Sequence, residues 1–243
     1  WNPSLLPRFR ETMGYDLTLY LPAIWWDIDD ISPKVRYDVN AFLDRIGFEA
    51  FFDPFLTWCE RHNVKGRLQP YGFPTDTIGG AGRADIPEME ITAGEKAAVP
   101  WFDTRIGPRT YVASGAHLFG RNIVSVEAYT YLHWELYRET LEELKIAGDM
   151  FLISGANLFY NAGYVGTPER DIAPTRDFSA AMHIDHRNIW WPYYPLLSRY
   201  VARSCLMLRQ GRYVADIAVY SPLANQWTQN CLNSRRWTRD FDW

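Results

Sequence analysis

Carboxylates that follow predicted strands are the residues of this sequence best suited to chemistry. Glu127 stands near the end of the apolar, β-branched run 123–130, whose length and Val/Ile content predict a buried strand. Asp85 and Glu88 lie in a long Gly- and Pro-rich stretch that follows a second predicted strand at 64–70. Ligands bind at the carboxyl ends of parallel strands, so these acids are candidates for acid–base catalysis. Carboxylates at strand ends also form structural ion pairs, and the spacing alone leaves both interpretations open.

Polar and aromatic residues elsewhere in the chain supply candidates for binding a ligand. As candidate substrate-binding residues we take His117, Asn157, Tyr160, His183 and Trp190. For His117 the alternative is a hydrogen-bonded structural role, and for any single tryptophan it is core packing. The His-x-Asp-His spacing at 183–186 has neither a cysteine partner nor a helical His-x-x-x-His pattern, so it does not predict a transition-metal site.

The composition indicates a chain long enough to bury a full core and unusually rich in aromatic residues. The chain has 243 residues, a net charge of −4 and an isoelectric point near 5.8, which argues against a nucleic-acid partner. Aromatic residues make up 16% of it, with 11 tryptophans. Flat aromatic faces stack on sugar rings as well as filling cores, so this excess favours a carbohydrate site. The three cysteines are widely spaced and predict buried thiols rather than disulfides or a metal cluster.

The termini and the hydropathy pattern bear on location. The chain begins with Trp1 rather than Met, which suggests a processed chain or a piece of a longer one. No signal peptide and no apolar run of about 18 residues is found, so a membrane span is not expected. The compartment stays open: periplasmic or secreted if a signal peptide has been removed, and cytoplasmic otherwise.

Hydrophobic periodicity predicts an α/β fold with parallel strands. The predicted strands are 64–70, 123–130, 150–158 and 213–220, and a strand around 15–21 is an additional candidate. The predicted helices are 8–13, 33–62 with a break near Gly47 or Pro54, 113–118, one from 132 that ends near Gly148, and 193–209. Four strands are too few for a closed eightfold barrel. Either weaker strands are hidden or the chain is part of a larger barrel.

Six segments in a fixed order resemble the catalytic region of the α-L-rhamnosidases of glycoside hydrolase family 106. They are MGYDLTLYLPAI, GRLQPYGFPTD, RADIPEME, ASGAHLFGRNIVSVEAYT, GANLFYNAGY and GRYVADIAVYSP, and together they cover most of residues 5–222. The resemblance implies a (β/α)8 TIM-barrel fold, here one catalytic domain over residues 1–243 that is complete or a fragment. It also implies hydrolysis of terminal α-L-rhamnosides with inversion, a rhamnose-containing glycoside as the partner, and calcium as a cofactor whose ligands the sequence does not name.

The resemblance also assigns roles to three acids. Glu88 in DIPE and Glu127 in VSVEAYT match the catalytic carboxylate pair, with Glu88 expected as the acid and Glu127 as the base, while Asp85 matches a further acid of the site. Family members are usually much longer, and the span between Glu88 and Glu127 is short here. A non-catalytic carbohydrate-binding relative and a retaining glycosidase of another barrel family are the alternatives. The oligomeric state is not predicted.

Overall fold

A computed structural model describes residues 2–71, 75–90, 106–130, 137–164, 182–220 and 222–229. Its α-helices are α1 (Leu5–Met13), α2 (Ile31–Gly47), α3 (Asp53–Arg61), α4 (Thr77–Arg83), α5 (Ile106–Leu118), α6 (Leu141–Ile153), α7 (Tyr194–Leu208) and α8 (Leu223–Gln229). Its strands are β1 (Arg67–Leu68), β2 (Ile86–Glu90), β3 (Ser125–Ala128) and β4 (Leu158–Asn161). Short 3₁₀ helices span Leu17–Ile24 and Trp191–Tyr193, and a π-helical turn spans Phe48–Phe52.

The N-terminal helices form a layer with its own apolar core, which includes Phe9, Val35 and Phe42. The predicted helix 33–62 is confirmed, and its break is the π-helical turn between α2 and α3. Asn63 follows α3 with φ +54°, the left-handed conformation expected of a residue that ends a helix.

The four strands form one parallel sheet in the order β1-β2-β3-β4. This confirms the predicted α/β class with parallel strands. Among the described residues the sheet is open, because β1 and β4 each pair with a single neighbouring strand. A complete barrel is therefore not formed by the described part of the chain.

Several predicted elements begin or end at residues other than the predicted ones. Residues 150–153 of the predicted strand 150–158 are the end of α6, and the strand begins only at Leu158. Gly148 lies inside α6 rather than at its end, and a Cβ there would lie 3.2 Å from the Tyr129 hydroxyl oxygen. Thr140 and Glu143 form a reciprocal capping box, which fixes the start of α6 well after residue 132.

Three further segments differ from their predicted structure. The candidate strand at 15–21 is mostly a 3₁₀ helix, in which Pro22 withholds an amide donor that a sheet would need. Residues 213–220 are exposed and irregular, and the predicted strand there is absent from the described sheet. The tail was predicted to lack elements, but it contains α8, which packs on α2: Asn40 donates to the carbonyl oxygen of Trp227 at 3.1 Å.

The main core lies on one face of the sheet, and the alternation of strand residues decides which side chains enter it. Met89, Val126 and Ala128 point into this core with α5, α6 and α7 around it. Glu88 and Glu127 alternate with them and so point to the other face, which leaves that face polar. None of the described helices is both long and apolar enough to cross a membrane.

Candidate active site

The polar face of the sheet gathers five side chains from three neighbouring strands, which we call the carboxylate cluster. Its members are Arg67, Gln69, Glu88, Ser125 and Glu127. The parallel register places Glu88 beside Ser125 and Glu90 beside Glu127, so these residues share one face. Gln69 follows directly after β1 and belongs to the same face as Arg67. The two acids predicted to act as a pair are thus brought together, 39 positions apart in sequence.

Glu88 is buried and accepts hydrogen bonds from three side chains. The Arg67 guanidinium donates to its Oε2 at 2.6 Å, and the Ser125 hydroxyl donates to the same oxygen at 3.0 Å. The Gln69 amide donates to the other oxygen at 3.2 Å. An ionised carboxylate is an acceptor only, and these partners compensate its charge in a site with little water.

Glu127 is half-buried and accepts a hydrogen bond from the same amide. The distance from the Gln69 Nε2 to Glu127 Oε2 is 2.6 Å. One amide nitrogen therefore bridges Glu88 and Glu127, and the two bridged oxygens can be no farther apart than the sum of the two hydrogen-bond lengths. The two carboxyl groups open onto one space.

Tyr160 lies at the opposite edge of the same face and closes over the cluster. The Arg67 guanidinium carbon lies 3.6 Å from the centre of the Tyr160 ring, although Arg67 is on β1 and Tyr160 on β4. A contact between the two edge strands requires the polar face to be concave. Tyr160 is 43% exposed and is the member of the five substrate-binding candidates that lies beside the carboxylate cluster.

Asp85 and Asn157 lie at the amino end of the sheet, away from the bridge between Glu88 and Glu127. The Asp85 Oδ2 accepts from the amide of Gly66 at 2.9 Å and so ties the start of β2 to the start of β1. Asn157 is buried; its Oδ1 accepts from Val124 N at 3.0 Å, and its Nδ2 donates to Asn122 O at 2.9 Å. Both side chains hold backbone groups, and the sugar contact expected of Asn157 stays a prediction.

His117 also belongs to the amino end of the sheet. It lies in the last turn of α5, and its ring stacks on Tyr213 with ring centres 4.2 Å apart. A Cβ at Gly155, which precedes β4, would lie 3.8 Å from its ring. Burial lowers the pKa of His117, so the neutral imidazole is favoured there. Its position does not support the expected contact with a ligand at the carboxyl end.

His183 and Trp190 lie at the carboxyl end but inside the protein. His183 is 2% exposed, and its ring nitrogen Nδ1 lies 3.1 Å from Glu139 Oε1, which also accepts from the His183 amide at 2.8 Å. Trp190 donates from its indole nitrogen to the Glu139 carbonyl oxygen at 2.7 Å. The amide of Met182 donates to Tyr129 O, which places this group just beyond β3. Both rings are buried and hydrogen-bonded, which favours a structural role, and their contact with a sugar stays a prediction.

Glu139 is an acid held apart from solvent. Burial by itself would raise the pKa of Glu139, but the hydrogen bonds from His183 outweigh burial and leave the pKa below its usual value. Its second oxygen, Oε2, is buried and has no hydrogen-bond partner among the described residues. The described residues contain no group of three or more His, Cys, Asp or Glu side chains able to hold a metal ion.

Comparison with known proteins identifies the family. The family model described as alpha-L-rhamnosidase matches residues 1–237. The chain belongs to glycoside hydrolase family 106. The solved structure of a rhamnosidase from Novosphingobium sp. PP1Y superposes with a TM-score of 0.71 and 25% identity, over 90% of this chain and 21% of that one. A Formosa agariphila protein named "Putative beta-glucuronidase" is 29% identical over 226 residues, which are 91% of this chain and 18% of that protein.

Two facts follow for this family 106 chain. The family predicted from the six sequence segments is confirmed. The chain spans about a fifth of the length of the relatives it matches.

The sequence of this family 106 chain did not indicate that Arg67, Gln69 and Ser125 belong to the site. Their signal was the two-residue period of a strand: Arg67 and Gln69 share one parity, and Ser125 shares the parity of Glu127. The predicted strands 64–70 and 123–130 contain all three, but polar residues on a strand that was expected to be buried gave no reason to group them. The pairing of β1 with β2 and of β2 with β3 supplies that reason.

Proposed function

We propose that this chain is the catalytic region of a glycosidase that hydrolyses terminal α-L-rhamnosides with inversion, with Glu88 as general acid and Glu127 as general base. The observation that carries the proposal is the pair of glutamates on neighbouring parallel strands, joined through the Gln69 amide on a concave polar face. Family membership adds the substrate class. The four strands would then be part of a (β/α)8 barrel.

The chemistry needs one carboxyl group that gives a proton and one that takes a proton. The acid protonates the glycosidic oxygen as the bond breaks, and the base removes a proton from the water that attacks the anomeric carbon from the opposite face. Glu127 suits the base because it is half-buried rather than buried, and its one described hydrogen bond leaves acceptor positions for water. The three donors to Glu88 occupy three of the about four lone-pair positions of its carboxylate, which leaves one position on the oxygen bonded by Gln69 for the proton that an acid gives.

Calcium is part of the proposal through the family resemblance. Calcium takes about six to eight oxygen ligands. The orphan oxygen of Glu139, at the carboxyl end of the sheet, is one donor of the right chemistry. The described residues do not supply an acidic set around it, so any site would need backbone carbonyls or residues outside the described ranges. Loss of activity on exhaustive chelation and its return with calcium would support the proposal, and full activity after chelation would contradict it.

A retaining glycosidase is the second candidate, and the bridging amide favours it. Inverting enzymes separate their carboxyl groups by about 6.5–9.5 Å to admit a water, whereas retaining enzymes hold them about 5–5.5 Å apart. The bridge limits the nearest oxygens of Glu88 and Glu127 to less than the inverting range. Binding of a sugar between the carboxylates would have to lengthen this bridge for inversion.

One experiment separates the candidates. The intact protein is mixed with an aryl α-L-rhamnoside, and the first rhamnose released is observed by proton NMR before it mutarotates. β-L-Rhamnose as the first product supports inversion, and α-L-rhamnose supports retention. Binding of rhamnose without any hydrolysis would instead indicate the non-catalytic carbohydrate-binding relative.

A further inference from the structure

We infer that Gln69 is a positioning residue that sets the spacing and the orientation of the carboxylate pair. Its Nε2 lies 2.6 Å from Glu127 and 3.2 Å from Glu88, and no other described side chain donates to both acids. The contact spans 58 positions of sequence and joins β1 to β3 across β2. This inference rests on the proposed function, because it concerns the acids assigned to the chemistry.

The chemistry of the contact fixes which end of the amide faces the acids. Ionised carboxylates only accept hydrogen bonds, and the amide carbonyl oxygen only accepts as well. The NH₂ group is therefore the end that faces Glu88 and Glu127, with one hydrogen for each carboxylate. A single donor group satisfies both acids, so neither can move without loosening the other.

Such a bridge has two consequences. The amide contacts both carboxyl groups at once, so its two hydrogen bonds hold Glu88 and Glu127 at a fixed separation. It also limits the rotation of both side chains before a substrate arrives, which is preorganisation. Among the described residues, the other charged and titratable groups on this face are Arg67, Glu90 and Tyr160, and Arg67 contacts Glu88 directly.

The test replaces the amide by a side chain of similar size that cannot donate. In Gln69→Leu, kcat on an aryl α-L-rhamnoside should fall roughly 10- to 100-fold, because Glu88 and Glu127 lose the contact that holds them in position for the reaction. KM should change much less, because the amide is proposed to act on the acids rather than on the sugar. Both limbs of the kcat/KM–pH profile should move to higher pH, because each ionised carboxylate loses a donor.

Two matched variants define the controls. Gln210→Leu makes the same exchange at an exposed position at the end of α7, where the amide bonds only the carbonyl oxygen of Leu206, and it should keep the parent profile. Ser125→Ala removes a donor to Glu88 alone, so it should move one limb of the profile and not both. Denaturant unfolding of each variant reports whether the fold is kept.

The outcomes distinguish this inference from the proposed function. If Gln69→Leu is folded and its kcat and both limbs match the parent, the inference is overturned. If kcat falls but the profile does not move, Gln69 has a structural role only, and the inference is again overturned. If neither Glu88→Gln nor Glu127→Gln affects hydrolysis, the proposed function itself fails, whatever Gln69→Leu does.

Discussion

Two acids near the end of β3 show opposite environments. Glu127 lies on the open polar face, shares a donor with a second carboxylate and is half-buried. Glu139 lies beyond the strand inside the protein, is 3% exposed and is bound to His183. A histidine beside a glutamate has the composition of an acid–base pair, but Glu139 and His183 are both buried and no substrate can reach them. An acid is available for chemistry here because a strand presents it to an open face with a second acid, and not because it has a titratable neighbour.

The largest effect should come from Glu127→Gln. If Glu127 is the base, the amide keeps shape and hydrogen bonding but cannot take a proton from water, so turnover should fall by about 10²–10⁴-fold. Sugar binding should persist, and an activated leaving group should not restore the rate. Added azide should attack directly and give a rhamnosyl azide of inverted configuration.

Glu90→Gln is the matched variant for this result. Glu90 lies opposite Glu127 in the register of β2 and β3 and is not part of the bridged pair. It should lose much less activity than Glu127→Gln. An equal loss in the two variants would mean that the pair has been misassigned.

Glu88→Gln should lose as much turnover on substrates with poor leaving groups and far less on activated ones. An aryl group of low basicity departs without a proton, so the acid becomes dispensable for it. The ratio of kcat/KM for activated and unactivated rhamnosides measures this directly. If Glu88→Gln is indifferent to the leaving group and Glu127→Gln is rescued by it, the two roles are exchanged.

Substitution of Glu139 should affect the stability of the fold more than turnover. Glu139→Gln should lower the free energy of unfolding by about 1–3 kcal/mol, because it weakens a buried hydrogen bond between Glu139 and His183. Turnover should change far less than in Glu127→Gln. Glu142→Gln, at an exposed acid in the first turn of α6, should leave stability close to that of the parent.

The pH dependence of stability gives Glu139 a second signature. Burial raises the pKa of Glu139, but the hydrogen bonds with His183 lower it by more. The pKa in the folded state is therefore below its ordinary value. Its contribution is therefore present above the ordinary value of 4.5 and is lost as the pH falls through the lowered folded value. Urea unfolding at a series of acidic pH values should show a smaller loss of stability for Glu139→Gln than for the parent. Parallel curves would contradict this assignment.

The contrast between the two acids also indicates how far sequence patterns reach. The strand at β3 was predicted because an apolar run contains it, and β1 lies inside the predicted strand 64–70, whereas β2 was missed because Pro87, Glu88 and Glu90 resemble a loop. The run after Met150 was assigned to a strand because a short apolar run does not distinguish a buried strand from a buried helix. The bridge at Gln69 depends on strand order and register, which no local pattern contains.

The candidate site residues also show what a local sequence pattern cannot predict. Asn157 and His183 are polar loop residues, as a ligand site requires, but backbone groups occupy both ends of the Asn157 amide and Glu139 contacts the His183 Nδ1. Only the fold determines which polar side chains near a strand are occupied in this way. Glu88 and Glu127 were candidates because they follow predicted strands, but the family motifs, and not their spacing, singled them out as a catalytic pair.

The smallest effect should come from Tyr160, at the rim of the open face. Tyr160→Leu removes the ring under the Arg67 guanidinium, a contact at 3.6 Å of a kind that contributes about 0.5–1 kcal/mol at exposed sites. Arg67 then keeps its bond to Glu88 but loses the surface that holds it across the face, so kcat/KM should fall a few-fold. Tyr160→Phe retains the ring and should behave like the parent in the same assay. Equal losses for Phe and Leu would show that the hydroxyl rather than the ring matters, and Tyr160 would then be a polar contact of the substrate instead of a support for Arg67.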